Sequence, residues 1–218
     1  MSPRRYRMGQ RTAAAERTRA QILAGARELL ATPRGFAELS IDTVARKANV
    51  ARMTVYYQFG SKAGLLEALY EQLVTRHDNT QLVDALRNPD SLAALLEFVD
   101  VFIRLWSSDR AVIRRVHALA ALDPTLAQSV QTRNARRRQE LETILKRVRS
   151  RYGHPGFSKF TEAVEIVYML TSFETFDQLA GATRKPGEVS DTIKRLALAA
   201  VVLHGAELES GKGRTPKA

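Results

Sequence analysis

SIDTVARKANVARMTVYYQF, residues 40–59, holds two short apolar-faced segments joined by a tight turn at Ala48-Asn49-Val50. Two helices meeting through such a turn make a helix-turn-helix, which sets three demands on the sequence. Close crossing needs a small residue, and Ala45 supplies it. The turn needs a residue that tolerates positive φ. Glycine is usual there, and Asn49 is among the few others that accept it. The second helix needs apolar anchors, and Val50 and Val55 serve with Val44 and Phe59. Arg52, Met53, Thr54 and Tyr57 then face outward near the start of that second helix. This is the end of a recognition helix that reaches base edges. An arginine reads guanine with two parallel hydrogen bonds, and Thr54 and Met53 suit a thymine methyl.

The charge distribution agrees with this reading. The 218-residue chain carries 34 Lys and Arg against 23 Asp and Glu, a net +11. Residues 1–62 hold 12 of those cations and 4 acids, a net +8, so most of the excess lies in under a third of the chain. A basic head on a near-balanced body suits a polyanion partner, the plainer alternative being a solubilising surface. There are no cysteines, which excludes disulfides, thiolate catalysis and Cys-ligated metal. No apolar run reaches about 18 residues, the length a membrane helix needs. The basic start MSPRRYRMGQR is not followed by the apolar stretch of a secretory signal. The expectation is a cytoplasmic protein that does not engage a membrane.

Elsewhere the apolar spacing is helical. Ile22, Ala26, Leu29 and Leu30 form one face of a helix that Pro33 and Gly35 stop. Ser61 caps KAGLLEALYEQLVT, and Ser91 caps LAALLEFVDVFIRLW. Ser107-Ser108-Asp109 starts RAVIRRVHALAAL, and Asp123-Pro124 opens a long polar helix ending near Tyr152. A further helix runs from about Phe157 to Leu179, and the last carries Val189, Ile193, Leu196, Ala197, Ala200, Val201 and His204. Alternating strand patterns and Asn-Gly hairpin signals are missing. The fold class is therefore all-α with about nine helices, without a βαβ unit or the dinucleotide or phosphate-loop site that goes with one. Residues 1–11 read as a flexible basic arm, 12–62 as the helix-turn-helix domain, 63–209 as a helical ligand-binding and dimerisation domain, and 210–218 as a disordered tail.

Residues of about 16–76 resemble the TetR family of bacterial transcriptional regulators. The resemblance rests on Arg19-x-x-Ile22-Leu23-x-x-Ala26, the Gly35-Phe36 turn and Leu39-Ser40 before Val44-Ala45. It continues through Val55-Tyr56-Tyr57-x-Phe59 and Ser61-Lys62-x-x-Leu65-Leu66. It implies that Ser40 and Thr43 meet phosphate or the groove edge and that Arg52, Met53 and Thr54 face bases. Tyr56 and Tyr57 would pack on the sugar–phosphate. Lys62 would pair with a phosphate at a helix N-terminus, where the dipole helps. The chain departs from the family at Gln58, where histidine is frequent, and at Asn49, where glycine is common. Asp42 is an unfavourable charge near DNA.

Other residues admit plainer roles beside functional ones. Arg4, Arg5, Arg7 and Arg11 suit either an adjacent minor groove or a solvated tail. Arg136, Arg137 and Arg138 read as a solvated helix face, with Glu142 and Lys146 paired one turn apart. His77, His117, His154 and His204 lack the spacing of a metal site, so no metal is expected. The pairs Glu162 with Glu165 and Glu174 with Asp177 have no nucleophile beside them, and no catalytic residue is assigned. No cofactor is expected. The resemblance implies a pocket for a small, largely apolar effector, which Phe102, Trp106, His117, Tyr168, Phe173 and Phe176 would line unless they only fill the core. It also implies a homodimer. The face of Val189, Ile193, Leu196, Ala197, Ala200 and Val201 either meets its copy in a four-helix bundle or closes the monomer's own core.

The expected function is a sequence-specific regulator, by resemblance a ligand-responsive repressor, bound as a dimer to palindromic double-stranded DNA. Two classes compete with it. An unspecific architectural DNA-binding protein would show a steep salt dependence and no preferred sequence. A helical enzyme or carrier would need a catalytic constellation, which the sequence does not offer.

Overall fold

The computed structural model describes residues 3–75, 79–152 and 160–203, with side chains from residue 12 onward except those of 79, 202 and 203. Among the described residues the chain is helical, without a strand. The helices are α1 Pro3–Ala31, α2 Pro33–Ala37, α3 Ile41–Lys47, α4 Arg52–Phe59, α5 Lys62–Thr75 and α6 Asn79–Arg87. They continue with α7 Ser91–Ser108, α8 Arg110–Ala120, α9 Pro124–Tyr152, α10 Phe160–Leu170, α11 Phe173–Ala180 and α12 Pro186–Leu198. A π-helical turn, Ala199–Leu203, follows α12. No helix among the described residues is long and apolar enough to cross a membrane.

The all-α class holds, with twelve helices among the described residues instead of about nine. Three additions account for the difference. Pro33 does not only stop α1. It also opens α2, because Thr32 caps that helix by accepting from the Gly35 N–H at 3.0 Å, and proline is suited to a first helical position. The segment Asn79–Arg87 forms α6. The long helix expected up to Leu179 is two helices: Ser172 accepts from the Thr175 N–H at 3.2 Å and starts α11 afresh.

Two caps differ by a residue or more. Asp90, not Ser91, caps α7, accepting from the Leu92 and Ala93 N–H groups at 2.9 and 3.2 Å. Ser107 and Ser108 close α7 and do not start α8, their hydroxyls donating back to the carbonyls of Arg104 and Leu105. Asp123 opens α9 as expected, accepting from the Thr125 and Leu126 N–H groups. Residues 3–11, expected as a loose arm, continue α1. The alanines at 13–15 favour helix just beyond them. The side chains of Arg4, Arg5, Arg7 and Arg11, together with His77, His154, His204 and the tail 210–218, lie outside the described residues.

The chain divides into two compact units, Met1–Leu73 with Ala111–Val130, and Val74–Arg110 with Gln131–Ala218. The first holds α1–α4, most of α5, and nearly all of α8 with the start of α9. Its core is Ile22, Ala26, Leu30, Val44, Val55 and Leu69, all fully buried. Three links draw α8 and α9 into this unit. Tyr70 of α5 packs edge-on against His117 of α8 at 5.8 Å. Arg115 of α8 donates to the Leu30 carbonyl at the end of α1. Ser129 of α9 donates to Glu67 of α5 at 2.7 Å. The compact units therefore do not part at residue 62.

The second unit is built around α7, whose buried residues include Leu95, Phe98, Val99, Phe102, Ile103 and Trp106. α6, α11 and α12 pack on α7, and α10 packs on α11 and α12. The break between α10 and α11 is pinned by Trp106, whose indole N–H donates to the Thr171 carbonyl at 3.0 Å.

Candidate nucleic-acid interface

The helix-turn-helix forms where residues 40–59 place it. Ser40 Oγ accepts from the Thr43 N–H at 3.1 Å, and Thr43 Oγ1 accepts from the Ser40 N–H at 2.9 Å. This reciprocal capping box fixes the entry of α3. Both hydroxyls are thus engaged within the protein at the positions expected to meet phosphate. At the turn Asn49 takes φ 51°, and the Val50 N–H returns to the Ala45 carbonyl at 3.0 Å. These bonds close the C-terminus of α3 and aim the chain into α4.

α4 sorts its residues by face. Val55 is fully buried, while Met53 and Tyr57, one turn apart, are 71% and 89% exposed. Both point away from the core that Val55 joins, on the outer face of α4. Arg52 is exposed, and Thr54 and Tyr56 are half-buried. Ala51, the N-cap residue, offers no side-chain acceptor, and in its place the Thr54 N–H returns to the Ala51 carbonyl at 2.9 Å in the first turn of α4. Lys62 is exposed at the start of α5, beside Ser61, whose Oγ accepts from the Gly64 N–H at 3.0 Å.

Arg52 is held at two points. Its Nη1 lies 3.3 Å from Asp42 Oδ2, and its Nη2 lies 3.4 Å from the Tyr56 hydroxyl. The guanidinium also sits 5.5 Å from the centre of the Tyr56 ring. The Tyr56 hydroxyl first, and the Asp42 carboxylate second, hold Arg52 above the ordinary arginine range. It is a permanent cation.

Arg19 of α1 was not among the expected site residues. It donates from Nη1 to the Gln58 carbonyl at 3.1 Å and lies 4.4 Å over the Phe59 ring. It therefore closes the C-terminus of α4 with a cation. These partners are 39 residues apart in the chain, and no local pattern signals the pairing.

The other expected sites separate. Phe102, Trp106, Tyr168, Phe173 and Phe176 belong to the second unit, whereas His117 belongs to the first. Phe102 and Trp106 lie 5.9 Å apart, and Trp106 meets Phe173 edge-on at 5.8 Å. Arg137, expected on a solvated face, is instead buried, 4.2 Å from the Tyr168 ring centre and 5.6 Å from that of Phe102. It also donates to Thr171 Oγ1 at 3.2 Å. The surface reading fails because Arg137 faces the α10–α11 break, while Arg136 and Arg138 pair outward with Glu140 and Glu165. None of the expected aromatics lines the open groove formed by Leu96, Arg184, Asp191, Lys194, Arg195 and Leu198.

Of the expected dimer face, Val189, Ile193, Ala197, Ala200 and Val201 are buried within the single chain, and only Leu196 is exposed, at 45%. That face closes the chain's own core, because α12 packs on α7 and α10. Among the described residues no cluster of three or more His, Asp or Glu side chains has the geometry to hold a metal ion.

Fold and site together define an all-helical protein with an N-terminal helix-turn-helix whose second helix exposes Met53 and Tyr57. Residues 22–69 match the sequence model of the bacterial regulatory proteins of the tetR family. The chain is 34% identical over 97 residues to the HTH-type transcriptional regulator EthR of Mycolicibacterium smegmatis, covering 44% of each. It is 32% identical over 110 residues to EthR of Mycobacterium tuberculosis, covering 49% of this chain and 50% of that one. The chain thus spans about half the length of the curated relatives it matches. Among solved structures, a Saccharomonospora viridis protein in complex with choline has TM-score 0.69 at 18% identity, over 86% of this chain and 98% of that one. The TetR family regulator PfmR of Thermus thermophilus has TM-score 0.63 at 19% identity, over 82% and 97%. These likenesses show that the TetR-type fold extends beyond the N-terminal match.

Proposed function

We propose that the protein is a sequence-specific transcriptional regulator, a ligand-responsive repressor that binds a palindromic operator as a homodimer. The observation that carries this reading is the outward row of Arg52, Met53 and Tyr57 on a recognition helix fixed by the Ser40–Thr43 box and the Asn49 turn. Residues 12–62 would bind DNA, and 63–209 would hold the effector and the dimer contact. A two-fold dimer sets its recognition helices about 34–36 Å apart, in successive major grooves. With the expected α12 face buried, the exposed side of α10 and α12, with Met169 and Leu196, would meet the second copy.

The effector reading rests on the aromatic group of the second unit. The solved relative with choline supports a small molecule within this fold. Arg137 already lies over the Tyr168 ring, which leaves the remaining aromatic surface to an apolar effector. For release to follow, the effector must bind the two DNA-affinity states unequally, by about 1–3 kcal/mol in typical linkage.

Binding to the duplex flanking the coding region, against a scrambled duplex over a salt series, tests the proposal. A preference of about 10³ or more at physiological salt supports a specific regulator. Equal affinities lost together as salt rises would point to an architectural protein. Arg52→Ala should relax preference at one base position by roughly 1–3 kcal/mol, while Lys62→Ala should weaken binding to every sequence alike.

A further inference from the structure

Asp42 is the only acid in residues 40–62, and it sits beside the side chains that would meet DNA. Simple electrostatics disfavours it there, because a fixed negative charge near phosphates opposes binding to any duplex. The structure gives the carboxylate a different task. Its Oδ2 is 3.3 Å from Arg52 Nη1, and Tyr56 takes the other terminal nitrogen of the same guanidinium at 3.4 Å. Asp42 is itself well placed, as the second residue of α3, whose start is locked by the Ser40–Thr43 box. Tyr56 lies one turn along α4 from Arg52. The guanidinium is therefore bracketed by fixed points on two helices and backed by a ring.

A guanidinium carries five N–H donors in one plane. Here Nη2 donates to Tyr56 and Nη1 faces the Asp42 carboxylate as an ion pair, so the remaining donors are offered to a partner in a set orientation. Reading guanine takes two parallel donors aimed at O6 and N7. An arginine already held in plane loses less rotamer freedom on binding than one that swings in solvent.

We propose that Asp42 is a positioning residue for base recognition, acting through Arg52 with Tyr56 as the second support. This rests on the regulator reading. It predicts opposite signs in two readouts when Asp42 becomes asparagine. Affinity for arbitrary duplexes rises, because a repelling charge is gone. Preference at the base pair read by Arg52, and at its two-fold mate, falls by about tenfold, within the range one bidentate contact supplies.

The test is in vitro selection of the full-length protein on random-sequence duplexes long enough for two half-sites, followed by affinities on the selected site and on a scrambled one. Wild type, Asp42→Asn, Arg52→Ala and the double variant are compared, with thermal melts to show that each is folded. The expected result is a wild-type consensus that Asp42→Asn blurs at one position and its mate, with no further blurring in the Arg52→Ala background. Tyr56→Phe, which keeps the ring and removes the hydroxyl, should blur the same position. If Asp42→Asn tightens binding to both duplexes equally and keeps the full consensus, the acid is only a charge and the proposal is overturned. If wild type selects no consensus, the regulator reading fails first and takes this one with it.

Discussion

The guanidinium of Arg19 lies 4.4 Å over the ring of Phe59, so a cation on α1 closes the far end of the recognition helix. The same group donates to the Gln58 carbonyl at 3.1 Å, satisfying a carbonyl that the helix itself leaves open. A cation at a helix C-terminus contributes about 0.3–1 kcal/mol, and its seat over the ring about 0.5–1 kcal/mol more. Arg19→Ala should therefore cost about 1 kcal/mol of stability and loosen α4. Urea titration measures the first effect, and faster amide exchange at the end of α4 measures the second. Unchanged exchange there would show that Arg19 does not hold the helix.

Most of the recognition end was legible because its signals are local. The Asn49 turn and the inward Val55 both lie within a few residues of what they act on, whereas the Ser40–Thr43 box takes up hydroxyls that the sequence reading turned toward phosphate. Arg19 and the Asp42–Arg52 pair were not legible, since each joins residues brought together only by the packing of α1, α3 and α4. The second unit was read less well for the same reason. Helical spacing shows that Val189, Ile193 and Ala197 share a face, but not whether α7 or a second copy covers it. Arg137 sits in a run of three arginines, and only the break at Thr171-Ser172 turns it inward.

Gly35 is required by space alone. A Cβ there would stand 2.0 Å from the Leu29 carbonyl oxygen, a backbone atom that cannot swing away. Gly35→Ala must push α2 off the end of α1, at about 3 kcal/mol, the upper end of usual overpacking costs. Gly187, in the first turn of α12, meets nothing within 4 Å. Gly187→Ala should stabilise by about 0.4–1 kcal/mol through the unfolded chain. Chemical denaturation of the pair checks both signs, and a tolerated Gly35→Ala would mean the α1–α2 corner is looser than it stands here.

Acid should weaken α7 through Asp90. The Ala93 N–H first, and the Leu92 N–H second, hold its carboxyl below the usual carboxylate range. A lowered native value means the contribution is full above the unfolded value of about 3.9 and fades as pH falls through the native one. Asp90→Asn keeps an acceptor for the same N–H groups but carries no titrating charge. Melting temperatures from about pH 6 downward should therefore show wild type losing its advantage over Asp90→Asn below about pH 4. An advantage that stays constant with pH would show that the charge of Asp90 adds nothing to the cap.

Stability and DNA binding should come apart along α4. Met53 and Tyr57 are 71% and 89% exposed, while Val55 between them is fully buried. Removing exposed side chains without folded-state packing usually changes stability by no more than about 0.5 kcal/mol. Met53→Ala and Tyr57→Ala should therefore melt like wild type yet bind DNA more weakly, Tyr57→Ala on all sequences and Met53→Ala chiefly where a thymine methyl is lost. Val55→Ala should do the reverse, costing about 1–3 kcal/mol of stability by opening a cavity under the helix. Below its own melting transition it should bind nearly as wild type does, since none of its atoms faces outward. Melting curves and salt-series titrations on one set of duplexes test all three. A Tyr57→Ala variant that binds as tightly as wild type would remove α4 from the contact surface, and with it the reading of this helix as the one that meets DNA.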